Sequence, residues 1–334
     1  MKYIATFAFV LLCAGLAAAQ VAPKVRHPAI ALFEKGKFAE AATAFEIATK
    51  TDEFKADAEI WNYLGLSYLA IGKVKNGRKA FEKSVALNAS NAIYRSNLAY
   101  ASLMSGDIGK ARESAEKAIA LDPKKPGPYE VRGTANFWQR KLDQAERDAE
   151  LFVQLDPANP QAYLLKSDIL IAKLGEQLMS SKTSSENDYL KRANETLETG
   201  AAKCKATAIC AEIAHRHEAI AAFYEHFSRD RTSPTLPGTV PVPEPDVTPI
   251  KIKRQPPAHY TDEARNQNVQ GAIRVAILLG ASGKVEYILF LSRLGFGLEQ
   301  EVVKAVREIR FEPRTKNGKP VSTVVIREYT FSIY

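Results

Sequence analysis

A few residue clusters have types and spacings that could do chemistry. Cys204 and Cys210, followed by His215 and His217, form a Cys-x5-Cys-x4-His-x-His run, and thiolates with imidazoles could hold zinc in a tetrahedron. Neither spacing fits a known zinc module, and histidines two apart do not share a helical face as ligands four apart would. The two cysteines are expected to pair in a short disulfide if the chain reaches an oxidising compartment, where thiols tend to oxidise together. Gly280-Ala-Ser-Gly-Lys-Val285 lacks the four-residue spacer of a phosphate loop and has valine where magnesium needs a hydroxyl, so it reads as a hairpin turn. Gly295-Phe-Gly297 lacks the third glycine and the strand-to-helix setting of a dinucleotide site. His226 and His259 stand alone, and no H-E-x-x-H or G-x-S-x-G run occurs. An enzyme is not expected, nor a cofactor, a bound metal or a small-molecule substrate.

The elements that would position a functional surface are more informative. The chain has 334 residues, 46% hydrophobic and 25% charged, which fits water-soluble folded domains and excludes wholesale disorder or a polytopic membrane protein. Its net charge of +8 divides evenly, +4 before Thr232 and +4 from there on, whereas a nucleic-acid binder concentrates basicity in one segment. At the front, Lys2 precedes an apolar run from Ile4 that ends in Ala17-Ala-Ala19. This pattern predicts a signal peptide over 1–19, cleaved before Gln20, and hence export to the periplasm. The run is short for a membrane span, and Leu12 before Cys13 is too large for a lipoprotein signal.

From about 24 to 230 the sequence repeats with a period of 34. Leu87, Leu121 and Leu155 share one column, and Asn88, Asp122 and Asp156 the next. Trp61, Arg95, Tyr129 and Tyr163 open successive units, with small residues Gly65, Ala99 and Gly133 where two helices must approach closely. Gly72 and Gly106 mark the break between helices. These columns resemble the tetratricopeptide repeat, and Trp61-Asn-Tyr-Leu-Gly-Leu-Ser-Tyr68 matches its W-x2-L-G-x2-Y opening. The resemblance is strong over Ala58–Asn159, with a degenerate unit over Ala29–Glu53. A fifth unit starts at Pro160, its inter-helix loop lengthened by Ser180–Asn187, and Ala211–Arg229 reads as a capping helix. The fold class it implies is an all-α solenoid followed by a small α+β domain. Such arrays present their first helices in a groove that suits an extended peptide or partner helix. Repeat positions place Asn62, Leu66, Ser96, Tyr100, Glu130, Thr134, Trp138, Leu164 and Asp168 toward that groove. The alternative for Tyr100 and Trp138 is packing between helices.

Residues 231–257 carry eight prolines, which predicts an extended, semi-rigid spacer. In 258–334, Ala272–Leu279 and Val285–Leu291 alternate apolar and polar across Gly280–Gly283, a β-hairpin pattern. Leu298, Val302, Ala305, Val306 and Ile309 then form one helical stripe able to cover one sheet face. Asn317-Gly318 turns the chain into a last strand, Val321–Ile333. The expected domain is a three-stranded antiparallel sheet with a helix.

This order resembles the C-terminal domain of TonB. The matching residues are Tyr260 and Ala264, Val269-Gln-Gly271, Gly283-Lys-Val285, Leu298, Arg310-Phe-Glu-Pro313, Asn317-Gly-Lys-Pro-Val321 and Phe331. Thr261 departs from the family, which usually has proline there. The resemblance implies strand addition, in which a partner segment pairs with an exposed sheet edge. The contact residues it implies are Gln255, Tyr260, Val321, Thr323, Val325 and Arg327. The alternatives are an edge closed by homodimerisation or guarded by Arg327 and Glu328. Together these readings give a non-enzymatic periplasmic adaptor whose partners are proteins, an outer-membrane receptor or an envelope complex among them. The other readings are a membrane-anchored energy transducer for outer-membrane transport, disfavoured because residues 1–20 contain no histidine, and a structural envelope-assembly factor.

Overall fold

The computed structural model describes residues 26–179, 187–205, 207–230 and 245–333. The expected signal peptide, most of the Ser180–Asn187 loop and the front half of the proline-rich segment lie outside the described residues. The chain divides into two compact units, one ending at Pro157 and the other running from Ala158.

The first unit is four helix pairs: α1 (Ala29–Glu34) with α2 (Phe38–Ala48), α3 (Ala58–Ala70) with α4 (Val74–Leu87), α5 (Ala92–Met104) with α6 (Ile108–Leu121), and α7 (Pro126–Trp138) with α8 (Leu142–Leu155). Local chemistry sets their ends. Asp57, Asn91 and Asp107 cap α3, α5 and α6 by accepting from free backbone N–H groups. Inside all four pairs the first helix ends on a left-handed residue, Gly36, Gly72, Gly106 and Arg140, with φ of 74°, 76°, 81° and 58°. Each of these closes with the same bond across five residues, from Lys37, Lys73, Asp107 and Lys141 N–H to the Leu32, Tyr68, Ser102 and Asn136 carbonyls. Arg140 is the one non-glycine in this column and adopts the conformation at a steric cost. The small-residue column does what its spacing implies: a Cβ on Gly65 would lie 2.6 Å from the Phe81 ring. The first helices pack on one another in order, α1 on α3, α3 on α5 and α5 on α7.

The second unit begins with three helices, α9 (Pro160–Met179), α10 (Asn187–Lys203) and α11 (Ala208–Asp230). Cys204 and Cys210 are bonded at the α10–α11 connection, with Cα atoms 5.7 Å apart. Then come β1 (Val247–Thr248), β2 (Lys251–Arg254), α12 (Asp262–Asn266), β3 (Gly271–Leu279), β4 (Val285–Phe290), α13 (Leu298–Arg307), β5 (Arg310–Glu312), β6 (Arg314–Lys316), β7 (Lys319–Val321) and β8 (Thr323–Phe331). The main sheet is antiparallel in the order β4-β3-β8, and β3 pairs with β8 over nine residues from Gly271↔Phe331 to Leu279↔Thr323.

Both faces of this sheet are covered. Ile273, Val275 and Ile277 of β3, with Val325 and Tyr329 of β8, pack under Leu298, Val302 and Val306 of α13. The opposite face, Ala276, Leu278, Leu289, Val324 and Ile326, shares a core with Leu170 and Leu174 of α9, Leu190 and Leu197 of α10, and Ile213, Ile220 and Phe223 of α11. Helix and strand approach so closely that a Cβ on Gly175 would meet the Leu291 Cβ at 2.9 Å. The capping helix α11 thus covers the sheet as well as the α9–α10 pair.

Two sequence expectations need correction here. The last strand starts at Thr323, because Asn317 and Gly318, both left-handed with φ of 51° and 72°, form a two-residue turn that folds β7 back on β6. Val321 therefore pairs with Arg314 in that small hairpin. The proline-rich segment is not a spacer to its end, since β1 pairs with β6 and β2 with β5. Residue numbers sum to 563 from Val247↔Lys316 to Ile252↔Phe311, so these are one ribbon, and a bulge before Arg254↔Arg310 shifts its register by one. Pro249 and Pro313 interrupt its ladder because neither has an N–H to give.

Candidate interaction surfaces

In the first unit the residues assigned to a groove separate into two groups. Asn62 is buried, and its Oδ1 accepts from Asn97 Nδ2 at 2.8 Å, so it ties α3 to α5 and offers little to a ligand. Leu66 is half-buried against the cores on both sides. Ser96 faces the start of α7, where a Cβ on Gly127 would lie 3.4 Å from its Oγ. Tyr100, Glu130, Thr134 and Trp138 form the more open part. The last three lie along α7 at steps of four, within one helical stripe, and Trp138 is 51% exposed.

The electrostatics here are unusual for half-buried groups. Burial, with Asp156 adding to it, pushes the Glu130 carboxyl up to about 7. Burial and then Glu130 push the Tyr100 phenol up to about 12. Glu130 makes no hydrogen bond or ion pair among the described residues. By contrast, Arg132 clamps Asp148 with Nη2–Oδ1 at 2.6 Å and Nε–Oδ2 at 3.0 Å, and Asn136 Nδ2 donates to the same carboxylate, which joins α7 to α8.

In the second unit Leu164 and Asp168 each have partners within the unit. Leu164 is buried in the core shared with the sheet. Asp168 accepts from Arg216 Nη1 at 2.6 Å, and Arg216 Nε reaches Glu212 at 2.6 Å. Burial works against the Asp168 charge, but Arg216 and Arg293 hold its carboxyl below the usual range. Arg216 and Arg293 have no part in the repeat columns, and only the three-dimensional contact reveals them.

The edge of β8 is the other surface. Among the described residues no strand pairs with β8 on the side away from β3. Thr323 and Val325 point inward and are buried, so what the edge presents there is main chain. Arg327 lies across it. Its Nη1 donates to the Ile326 carbonyl at 2.8 Å and its Nε to Gln255 Oε1 at 3.1 Å. Glu328 pairs instead with Arg274 on β3, at 2.6 Å. Tyr260 sets its ring edge-on to Phe331, centroids 5.8 Å apart, and its hydroxyl donates to the Val269 carbonyl. Thr261 caps α12 through Ala264 N–H and donates to the Phe296 carbonyl at 2.7 Å. Those are two bonds that a proline could not make.

Comparison with known proteins matches each module separately. The family model of the tetratricopeptide repeat matches residues 29–85 and 64–126, and that of the Gram-negative bacterial TonB protein C-terminal matches 256–333. No curated protein matches the chain. Among solved structures, MamA is 22% identical with a TM-score of 0.46, over 54% of this chain and 98% of that one. A thermophilic TPR protein of Thermus thermophilus is 16% identical with a TM-score of 0.44, over 58% and 95%. YrrB, described as a TPR protein with an unusual peptide-binding site, is 14% identical with a TM-score of 0.43, over 56% and 88%.

Proposed function

We infer that this chain, in which tetratricopeptide repeats precede a TonB C-terminal domain, is an adaptor of the cell envelope that holds one protein on its repeats and engages another by strand addition. Tetratricopeptide repeats are protein-interaction modules, and neither family is catalytic. The observation that carries the finer reading is the edge of β8. Nine residues are fixed against β3 in one register, while the outer side pairs with no strand among the described residues. A partner segment in extended form would find a rigid template there, with main-chain groups supplying affinity. The signal-peptide pattern at 1–19 supports a periplasmic location, and an outer-membrane or envelope protein is the partner that such a location supplies.

Strand addition is tested with a photo-crosslinking residue at Thr330, which is exposed on β8, and separately at Glu286 on the opposite edge strand β4. The expected result is capture of an extended segment of one envelope protein from Thr330 alone. Equal capture from both positions, or a product in which Thr330 joins a second copy of this chain, overturns it. The intact mass of the protein from the envelope fraction tests location: a chain starting at Gln20 is expected, and one retaining Met1–Ala19 would favour an anchored transducer.

A further inference from the structure

The ribbon made by residues 247–254 and 310–316, with its terminal hairpin to Val321, carries a strongly one-sided charge. Residues directly opposite in an antiparallel pair share a face, and faces alternate along each strand. The pairings Lys251↔Glu312 and Lys316↔Lys319, with Arg254↔Arg310 beyond a bulge that shifts the register by one, put these side chains on one face, where Arg314 between them is buried. Ile252 and Phe311 turn to the other and join the domain core. Lys251, Lys253, Arg254, Arg310, Lys316 and Lys319 are all exposed, along a strip of about 20 Å between Arg310 and Lys316.

The acids on this face do not balance it. Glu312 lies 2.5 Å from Lys253, and Lys253 with Lys251 holds its carboxyl below the ordinary value. Glu308 meets Arg254 at 3.4 Å. Arg310, Lys316 and Lys319 make no ion pair among the described residues. Two of the ladder's cross-strand pairs are like-charged, Arg254 with Arg310 and Lys316 with Lys319, and like charges directly opposite are destabilising. An anionic surface laid on the strip would remove that repulsion.

We propose that this ribbon face docks on an anionic phospholipid surface, through the phosphodiester headgroups of lipids such as phosphatidylglycerol. The strip offers charge without a pocket, since its six cations are exposed and, among the described residues, only Lys253 and Arg254 pair with acids. Headgroups that move laterally can settle opposite each cation at its own spacing, whereas a rigid polyanion must match the ribbon's geometry. This surface is separate from the β8 edge and from the repeats, and it does not depend on the function proposed above.

The test is co-sedimentation of the full chain with vesicles of phosphatidylcholine, with and without phosphatidylglycerol, at low and high salt. Binding that needs phosphatidylglycerol and is lost at high salt is expected. Lys316→Gln with Lys319→Gln should weaken it about 25-fold, at about fivefold per cation, and Arg310→Gln about fivefold. Arg310→Gln keeps the test intact if the pair at the turn disturbs folding. Lys79→Gln with Lys83→Gln on α4 should bind as the parent does. The proposal is overturned if the vesicles are not bound, if phosphatidylcholine alone suffices, or if the α4 variant loses as much as the ribbon variants. Retention on peptidoglycan sacculi or duplex DNA without vesicle binding would assign the strip to a polymer and overturn it equally.

Discussion

The two units both use antiparallel helix pairs, but they bury them in opposite ways. In residues 29–157 each helix packs against the next one or two in order, so the core is a chain of small local clusters. In residues 158–333 the helices α9–α11 have a second apolar neighbour, the sheet, and residues as far apart as Leu164 and Ile326 share one core. A repeat is therefore a reusable part: its fifth copy, freed from stacking on a sixth, covers a β-sheet.

That contrast can be broken most decisively at Ile326, which is fully buried between β8 and the helices. Ile326→Asp should cost the second unit at least ~4 kcal/mol by placing a charge among apolar side chains. Urea unfolding followed by circular dichroism should then show residues 29–157 melting at the parent's midpoint and the remainder at a much lower one. Simultaneous collapse of both would mean that the repeats rely on the sheet as well.

A smaller effect should mark the first unit alone. The Glu130 carboxyl, ordinarily near 4.5, is raised to about 7 by burial, so its protonated form is the one the fold favours. Its contribution is fully present below 4.5 and is lost as pH rises through about 7. Glu130→Gln should stabilise the first unit by about 1–2 kcal/mol above that range and by little below it. A thermal-melt series across pH in which the variant and the parent run parallel would refute this. The smallest effect is expected at Arg140, the left-handed residue where the preceding repeats have glycine. Arg140→Gly should add about 1 kcal/mol, measured as a higher urea midpoint of the first unit only.

What the sequence discloses follows the same division. The period of 34, the small-residue columns and the helix breaks at Gly72 and Gly106 are visible because each is settled by contacts within a few dozen residues. The hairpin turn at Asn317-Gly318 and the stripe of α13 are visible for the same reason. The doubly covered sheet leaves only a faint mark, the unbroken apolar run Val324-Val325-Ile326, in which neighbours face opposite cores where an exposed face would alternate. The ribbon is hidden by its own prolines, which suggest a spacer while Lys251–Arg254 pairs with a strand some 60 residues on. Groove residues are legible only as columns. Trp138 is exposed and Tyr100 and Glu130 are half-buried, while Leu164 and Asp168 lie in the same columns of a helix that has the sheet as a second partner.

The shared core also sets the order in which the molecule can be completed. A chain synthesised from its N-terminus can close α1 to α8 pair by pair as each emerges. Helix α9 cannot be finished that way, because Leu174 and Ile326 are 152 positions apart. Until β8 arrives, α9 to α11 expose an apolar face wide enough to stick to other chains, which makes this half of the protein the natural client of a holding chaperone during its biogenesis.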